Sequence, residues 1–250
     1  RLQIILSKDE FAALVGLTDE KAFKEAVAKA LAGAKNSPDA GWFHDGMTSY
    51  DTEEPAMAML YRDSTELIWQ GLSNLAILVY DRAQQHRGQI MIGRTHGQHA
   101  QPITFGIKCL NWYDMLMRAL GPFRTAANAA KVMKLSGAVG VYGTLGPEVE
   151  DGVGRELALA PVISTQIVAL DYRVRVVAEL AMIASIIEKI SGDIWHLCST
   201  EVNELREPFG RDQKGSSAMP HKKNPILSEN LNGCASLVRG YLVSLLAQIA

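Results

Sequence analysis

Leu170, Val174, Val177, Leu180, Ala184, Ile187, Ile190, Ile194 and Leu197 recur at steps of three and four, the spacing that stacks side chains on one face of a helix. The polar pattern around them continues to Arg206, and Pro208 then stops it, because proline has no N–H to give and clashes with the preceding turn. At 1.5 Å per residue, roughly 35 such residues form a rod about 50 Å long. A stripe of that length can be buried only against other long helices. A second stretch begins near Thr52, where Asp51, Glu53, Glu54 and Pro55 supply an acidic, proline-tolerant first turn, and runs to about Gly88. A third spans about Thr104 to Leu135, and a fourth starts after Pro225. Almost nowhere do apolar residues alternate as in a strand. The expected fold class is all-α, a bundle of long helices over residues 51–250, with residues 1–50 as the remnant of a smaller helical region.

Composition excludes several classes of function. Lys+Arg 25 against Asp+Glu 27 gives a net charge of −2, so no global basic field recruits nucleic acid or an anionic membrane. No apolar run approaches the roughly 20 residues of a membrane span, and a cytoplasmic location is the default expectation. Cys109, Cys198 and Cys234 are an odd number at wide spacing in helical segments; they form no disulfide framework or zinc pattern and are expected to be ordinary buried thiols.

Four segments differ from the helices around them: Gly41 to Tyr50, Met91 to Pro102, Ser136 to Pro147 and Phe209 to Pro225. They hold four of the six histidines, and loops on a rigid helical scaffold are where chemistry usually sits. The last is the most informative. Gly210 and Gly215 loosen it, Pro220 and Pro225 restrict it, and Ser216, Ser217, Lys222, Lys223 and Asn224 crowd together just ahead of a helix. From the residues alone this is either an anion-binding loop at a helix start or a solvated, lysine-rich connector.

The run GSSAMPHKKNP resembles the GSSxMPxKxNP signature of the fumarase/aspartase superfamily, in the form carried by the branch that acts on adenylosuccinate. MIGRTHGQHAQPITFG (91–106) and HDGMTSYD (44–51) are similar to that family's second and first segments, and SGAVGVYG and the ISTQ at 163–166 also match. The resemblance runs from about His44 onward. It implies a long-helix bundle that this chain carries incompletely at both ends, the last central helix and a C-terminal domain falling beyond Ala250. It also implies a homotetramer whose active sites each draw on three subunits, a nucleotide substrate, and no cofactor.

The implied chemistry is a β-elimination releasing fumarate, in which negative charge spreads onto a carboxylate while a base and an acid work on opposite sides. By the family pattern Ser217 is the base, with Lys222 and backbone N–H groups lowering its pKa. His96 is the acid that protonates the leaving nitrogen, with Glu229 as its carboxylate partner. Substrate contacts are implied for His44, Thr48, Ser49, Asp51, Thr95, Gln166, Ser216, Met219 and Asn224. Thr48 and Ser49 also suit plain capping. His96 and His99 are three apart, but Gly97 between them and the lack of a nearby third ligand argue against a metal, and none is expected. Residues 1–43 contain no histidine, whereas the adenylosuccinate branch carries one shortly before the first segment. Sister lyases acting on argininosuccinate or a carboxymuconate, and a non-catalytic oligomer of the lens-crystallin kind, therefore remain alternatives.

Overall fold

A computed structural model describes residues 44–210, 215–219 and 221–249. The expectations for the first 43 residues, and the stiffening role of Pro220, lie outside the described residues. Two units meet between Met47 and Thr48. Of the first unit, residues 44–47 are described: a turn in which the Met47 N–H donates to the His44 carbonyl at 3.3 Å, with His44 at φ 72° and Gly46 at φ 71°.

The second unit is built on four long helices: α1 (Ser49–Gln85), α2 (Phe105–Ala129), α4 (Asp171–Leu197) and α5 (Ile226–Leu246), with a shorter α3 (Pro147–Leu157) between α2 and α4. Leu72 and Ala76 of α1, Leu116, Leu120 and Phe123 of α2, and Val176 and Ile183 of α4 form one buried core. Ala83, Cys109 and Trp112 form a second cluster, in which the Trp112 indole N–H donates to Asp193 Oδ2 at 2.8 Å. At that end Gly106 lies so close to α1 that a Cβ would meet the Ala83 carbonyl at 2.6 Å. α5 runs along α4, joined by Ser191 to Asn232 at 2.5 Å and by an ion pair of Arg239 with Glu188.

The helices differ from expectation at their ends. α1 begins at Ser49 rather than near Thr52, because the Asp51 carboxylate accepts from the Thr48 N–H at 2.9 Å and starts the helix one turn early. Pro55 is thus the seventh residue of α1 and not part of its first turn. α4 is 27 residues long and ends at Leu197, well before Arg206. Asn203 takes up a left-handed φ of 47°, so that the N–H groups of Glu204 and Leu205 turn back onto the Leu197 carbonyl at 3.0 and 3.1 Å. α2 stops at Ala129, and α3 follows Gly146 with Pro147 at its first turn, a position where the missing N–H costs nothing. Cys234 is exposed, whereas Cys109 is buried and burial pushes its thiol pKa up, as suits an unreactive core sulfur.

The main correction concerns Met91 to Pro102, expected as a loop. It is an antiparallel hairpin of β1 (Ile90–Thr95) and β2 (Gln98–Thr104). A second, two-residue parallel pair joins β3 (Val132–Met133) to β4 (Ala160–Pro161). Among the described residues, no helix is long and apolar enough to cross a membrane.

Candidate active site

Thr95 pairs with Gln98 across the hairpin, so His96 and Gly97 alone form its turn. Their φ values are 54° and 76°, the two positive angles of a type I′ turn, whose twist matches that of the strands it joins. Histidine is among the few non-glycine residues that tolerate this region. His96 is therefore held, exposed, at the tip of a two-residue turn. Near the tip the ladder slips between Ile92 and Arg94, and Gly93 is pressed so close that a Cβ would meet the Gln101 carbonyl at 2.6 Å.

Arg94, next to Thr95 and His96, holds the hairpin to the segment after α4. Its guanidinium donates to both carboxylate oxygens of Glu204 at 2.7 and 3.1 Å, the planar two-pronged geometry that favours arginine over lysine. The same contact holds the Glu204 carboxyl below its ordinary pKa, chiefly through the Arg94 hydrogen bond. A depressed folded-state pKa gives stability that is present above the unfolded value, about 4.3, and lost as pH falls through the folded one. Glu204→Gln is thus expected to lower the melting temperature at neutral pH. The gap from the parent should close as pH falls below about 4, and a gap that persists in acid would show another cause. A cavity of about 280 Å³ lies under the hairpin, lined by Arg94, Thr95, Lys108 and His196 among others. Thr95 is the one expected site residue in its lining.

The signature loop closes on itself. The Ser216 N–H donates to the Lys222 carbonyl at 3.3 Å, and the Lys222 N–H donates to the Met219 carbonyl at 2.9 Å. This keeps Ser217 and Lys222 in one small loop, both exposed. The neighbouring Lys223 instead lies over the Phe209 ring, 5.1 Å from its centroid, so the two lysines have different environments. Asn224 is half-buried just ahead of α5, and Glu229 lies exposed in the first turn of that helix.

The start of α5 is not open to an outside anion, contrary to the reading of that helix start as an anion site. Glu207 covers it with its own carboxylate, accepting from the Leu227 and Ser228 N–H groups at 3.1 and 2.9 Å and from the Ser228 hydroxyl at 2.6 Å. An internal carboxylate there satisfies the unpaired first-turn N–H groups and the helix dipole together.

At the start of α1, Thr48 is the N-cap and half-buried, as is Ser49. Asp51 departs from expectation, for its side chain is wholly enclosed and ion-paired with Lys134 at 2.8 Å. It holds the helix start and presents no face to a ligand. Gln166 is exposed in the loop after β4. That loop meets the SGAVGVYG segment at Gly140, where φ is 83° and a Cβ would sit 2.0 Å from the Ser164 carbonyl. Glu150 ties both ends of SGAVGVYG, accepting from the Leu135 N–H and from the Tyr142 hydroxyl, each at 2.6 Å. The carboxylate beside it pushes the Tyr142 pKa up to about 12, so that hydroxyl remains a donor. His44 is exposed in its turn.

Within one chain, and among the described residues, no side-chain hydrogen bond or ion pair joins His96, Ser217 and Glu229 to one another. Nor do any three His, Cys, Asp or Glu side chains there group as a metal site would. Arg94, Glu204, Glu207 and Lys134 escaped sequence reasoning. Arg94 alone had a visible signal, its place beside Thr95 and His96.

A lyase family profile matches residues 9–240. The chain belongs to that lyase family, within the fumarase/aspartase superfamily. Among its relatives are the adenylosuccinate lyases of Bacillus subtilis (strain 168), 40% identical over 90% of this chain and 52% of that protein, and of Synechocystis sp., 42% identical over 85% of this chain and 50% of that protein. Two solved structures share the fold: a 3-carboxy-cis,cis-muconate lactonizing enzyme from Pseudomonas putida (TM-score 0.78, 30% identity, 92% of this chain and 55% of that one) and a fumarate lyase from Mesorhizobium sp. BNC1 (TM-score 0.75, 29% identity, 85% and 48%). The chain spans about half the length of the curated relatives it matches.

Proposed function

We propose that the full-length protein eliminates fumarate from adenylosuccinate, leaving AMP, and from the related purine intermediate SAICAR, leaving AICAR. The observation that carries this reading is the self-closed loop holding Ser217 and Lys222 immediately ahead of the helix that bears Glu229. It occurs in a chain 40% identical to adenylosuccinate lyases over most of its length.

In this reaction Ser217, as its alkoxide, takes the proton from the carbon beside one carboxylate. Electron density moves onto that carboxylate, and the bond from the adjacent carbon to nitrogen then breaks. His96 gives its proton to the departing nitrogen, so that fumarate and the neutral aminopurine result. Lys222, carried in the same small loop as Ser217, favours the charged form of that hydroxyl. Glu229 pairs with His96 of another subunit. Thr48, Ser49, Thr95, Gln166, Ser216, Met219 and Asn224 contact the substrate, and His44 contributes to its binding.

A site shared among subunits accounts for the exposure of His96, Ser217 and Glu229 on separate elements. It also accounts for the apolar residues left uncovered on α5, including Leu227, Leu237, Tyr241 and Val243, and on α1, including Leu67 and Leu78. An uncovered apolar surface of that extent marks an interaction site, and we assign it to a homotetramer working in the cytoplasm. The test is turnover followed by ultraviolet absorbance with purified full-length protein. It is read as fumarate appearing from adenylosuccinate or argininosuccinate, and as loss of the conjugated diene for 3-carboxymuconate, whose lactonization releases no fumarate. Turnover is expected with adenylosuccinate and not with argininosuccinate or 3-carboxymuconate. Turnover with one of the latter instead would overturn the substrate while keeping the class.

A further inference from the structure

Lys134 and Asp51 are the one ion pair among the described residues whose two side chains are both wholly enclosed. An ammonium has three N–H donors, and here each has a partner: Asp51 Oδ1 at 2.8 Å, the Gly137 carbonyl at 2.6 Å and the Gln166 carbonyl at 3.2 Å. The Asp51 carboxylate is filled in turn. Its Oδ1 also accepts from the Gly137 N–H at 3.3 Å, and its Oδ2 accepts from the Thr48 N–H at 2.9 Å. One buried charge pair thus joins three segments distant in sequence: the start of α1 with Thr48 and Ser49, the SGAVGVYG loop, and the loop bearing Gln166. Gly140 adds a second link between the last two, pressed against the Ser164 carbonyl.

The geometry points to Lys134 as a positioning residue that sets the substrate-contacting Thr48–Ser49 and Gln166 segments in register through Asp51 and the Gly137 and Gln166 carbonyls. It rests on the elimination reading of the same site for its kinetic consequence. Lys134 touches no substrate, since no part of its side chain is exposed. A buried ion pair is a costly way to hold a fold, and an apolar pair of similar volume often serves as well. What the pair adds is direction, because its hydrogen bonds fix backbone groups of three loops at once.

Lys134→Met alone would leave Asp51 buried without its cation, so the variant is paired with Asp51→Asn, whose amide oxygen can still accept from Thr48. In the full-length double variant the KM for adenylosuccinate is expected to rise about ten-fold or more with kcat within about three-fold, the pattern of lost uniform binding. A merely structural role would instead reduce the active fraction, lowering kcat at unchanged KM. Amide hydrogen exchange, followed by mass spectrometry, is expected to quicken together at residues 48–52, 137–142 and 163–167, while α2 stays protected. Unchanged KM, or faster exchange in only one of the three segments, would overturn the proposal. If the parent protein fails to turn over adenylosuccinate, the functional reading fails, and the exchange pattern still decides the role of Lys134.

Discussion

Ser217→Ala in the full-length protein is expected to lower kcat for fumarate release by a factor of about 10²–10⁴, the usual contribution of a positioned general base. The hydroxyl is exposed and has no hydrogen-bond partner among the described residues, so its removal empties no buried site. The melting temperature should therefore match the parent's. Binding of product fumarate should change little, since the loop is closed by the backbone bonds of Ser216 and Lys222 and not by the Ser217 side chain. The measurement is a steady-state assay beside a thermal melt. A folded variant that retained near-parental turnover would remove Ser217 from the base role and leave the elimination without an assigned base.

Phe123→Ala acts by a different route and on a different quantity. The ring is fully enclosed in the cluster made by α1, α2 and α4, and truncating a phenylalanine in such a place costs about 3–5 kcal/mol through lost transfer energy and the cavity left behind. Because the shift per kcal/mol shrinks as a chain lengthens, the melting temperature of the full-length protein should fall by several degrees. By comparison, Leu237→Ala changes an α5 residue that is 59% exposed within one chain. A loss comparable to that of Phe123→Ala would mean that this face of α5 is covered in the full-length protein, whether by partner subunits or by the rest of its own chain. In both cases the readout is the melting temperature of the full-length protein.

The helices were legible because their burial is periodic. Leu180, Ile187 and Ile190 of the stripe first picked out do pack on the core, yet Val176 and Ile183, off that stripe, are among its most buried members. The reason is that α4 is packed by α2 on one side and α5 on another, so more than one stripe is needed. Helix ends were less legible, because they depend on single hydrogen bonds such as that from Thr48 to Asp51, or on one backbone angle such as that of Asn203. The hairpin was missed for a related reason. QHAQPIT carries no alternation of apolar and polar residues, Pro102 lies within it, and its two faces are mostly exposed, so the pairing is set by the His96–Gly97 turn. The motif residues of the site could be read from the chain, whereas the groups that hold them, Lys134, Glu204 and Glu207, could not. Their partners lie in segments distant in sequence, Arg94 and Glu204 being 110 residues apart, and neither periodicity nor local spacing reports such a contact.

The two-residue turn at His96 has a consequence for how a reaction cycle can be divided. The backbone of a histidine at the tip of a short hairpin, with Arg94 fastened to Glu204 beside it, has little freedom to travel, since any shift of its Cα must carry the ribbon with it. The signature segment is held differently: two backbone bonds close it, and none of its described residues lies in a strand or helix before Ile226. In the proposed roles, the acid stands on a turn braced by paired strands and by Arg94, and the base on a segment closed by its own backbone bonds. Substitutions that change the rate of product release are then expected to cluster in the serine segment rather than around the hairpin, as pre-steady-state measurement of fumarate release would show.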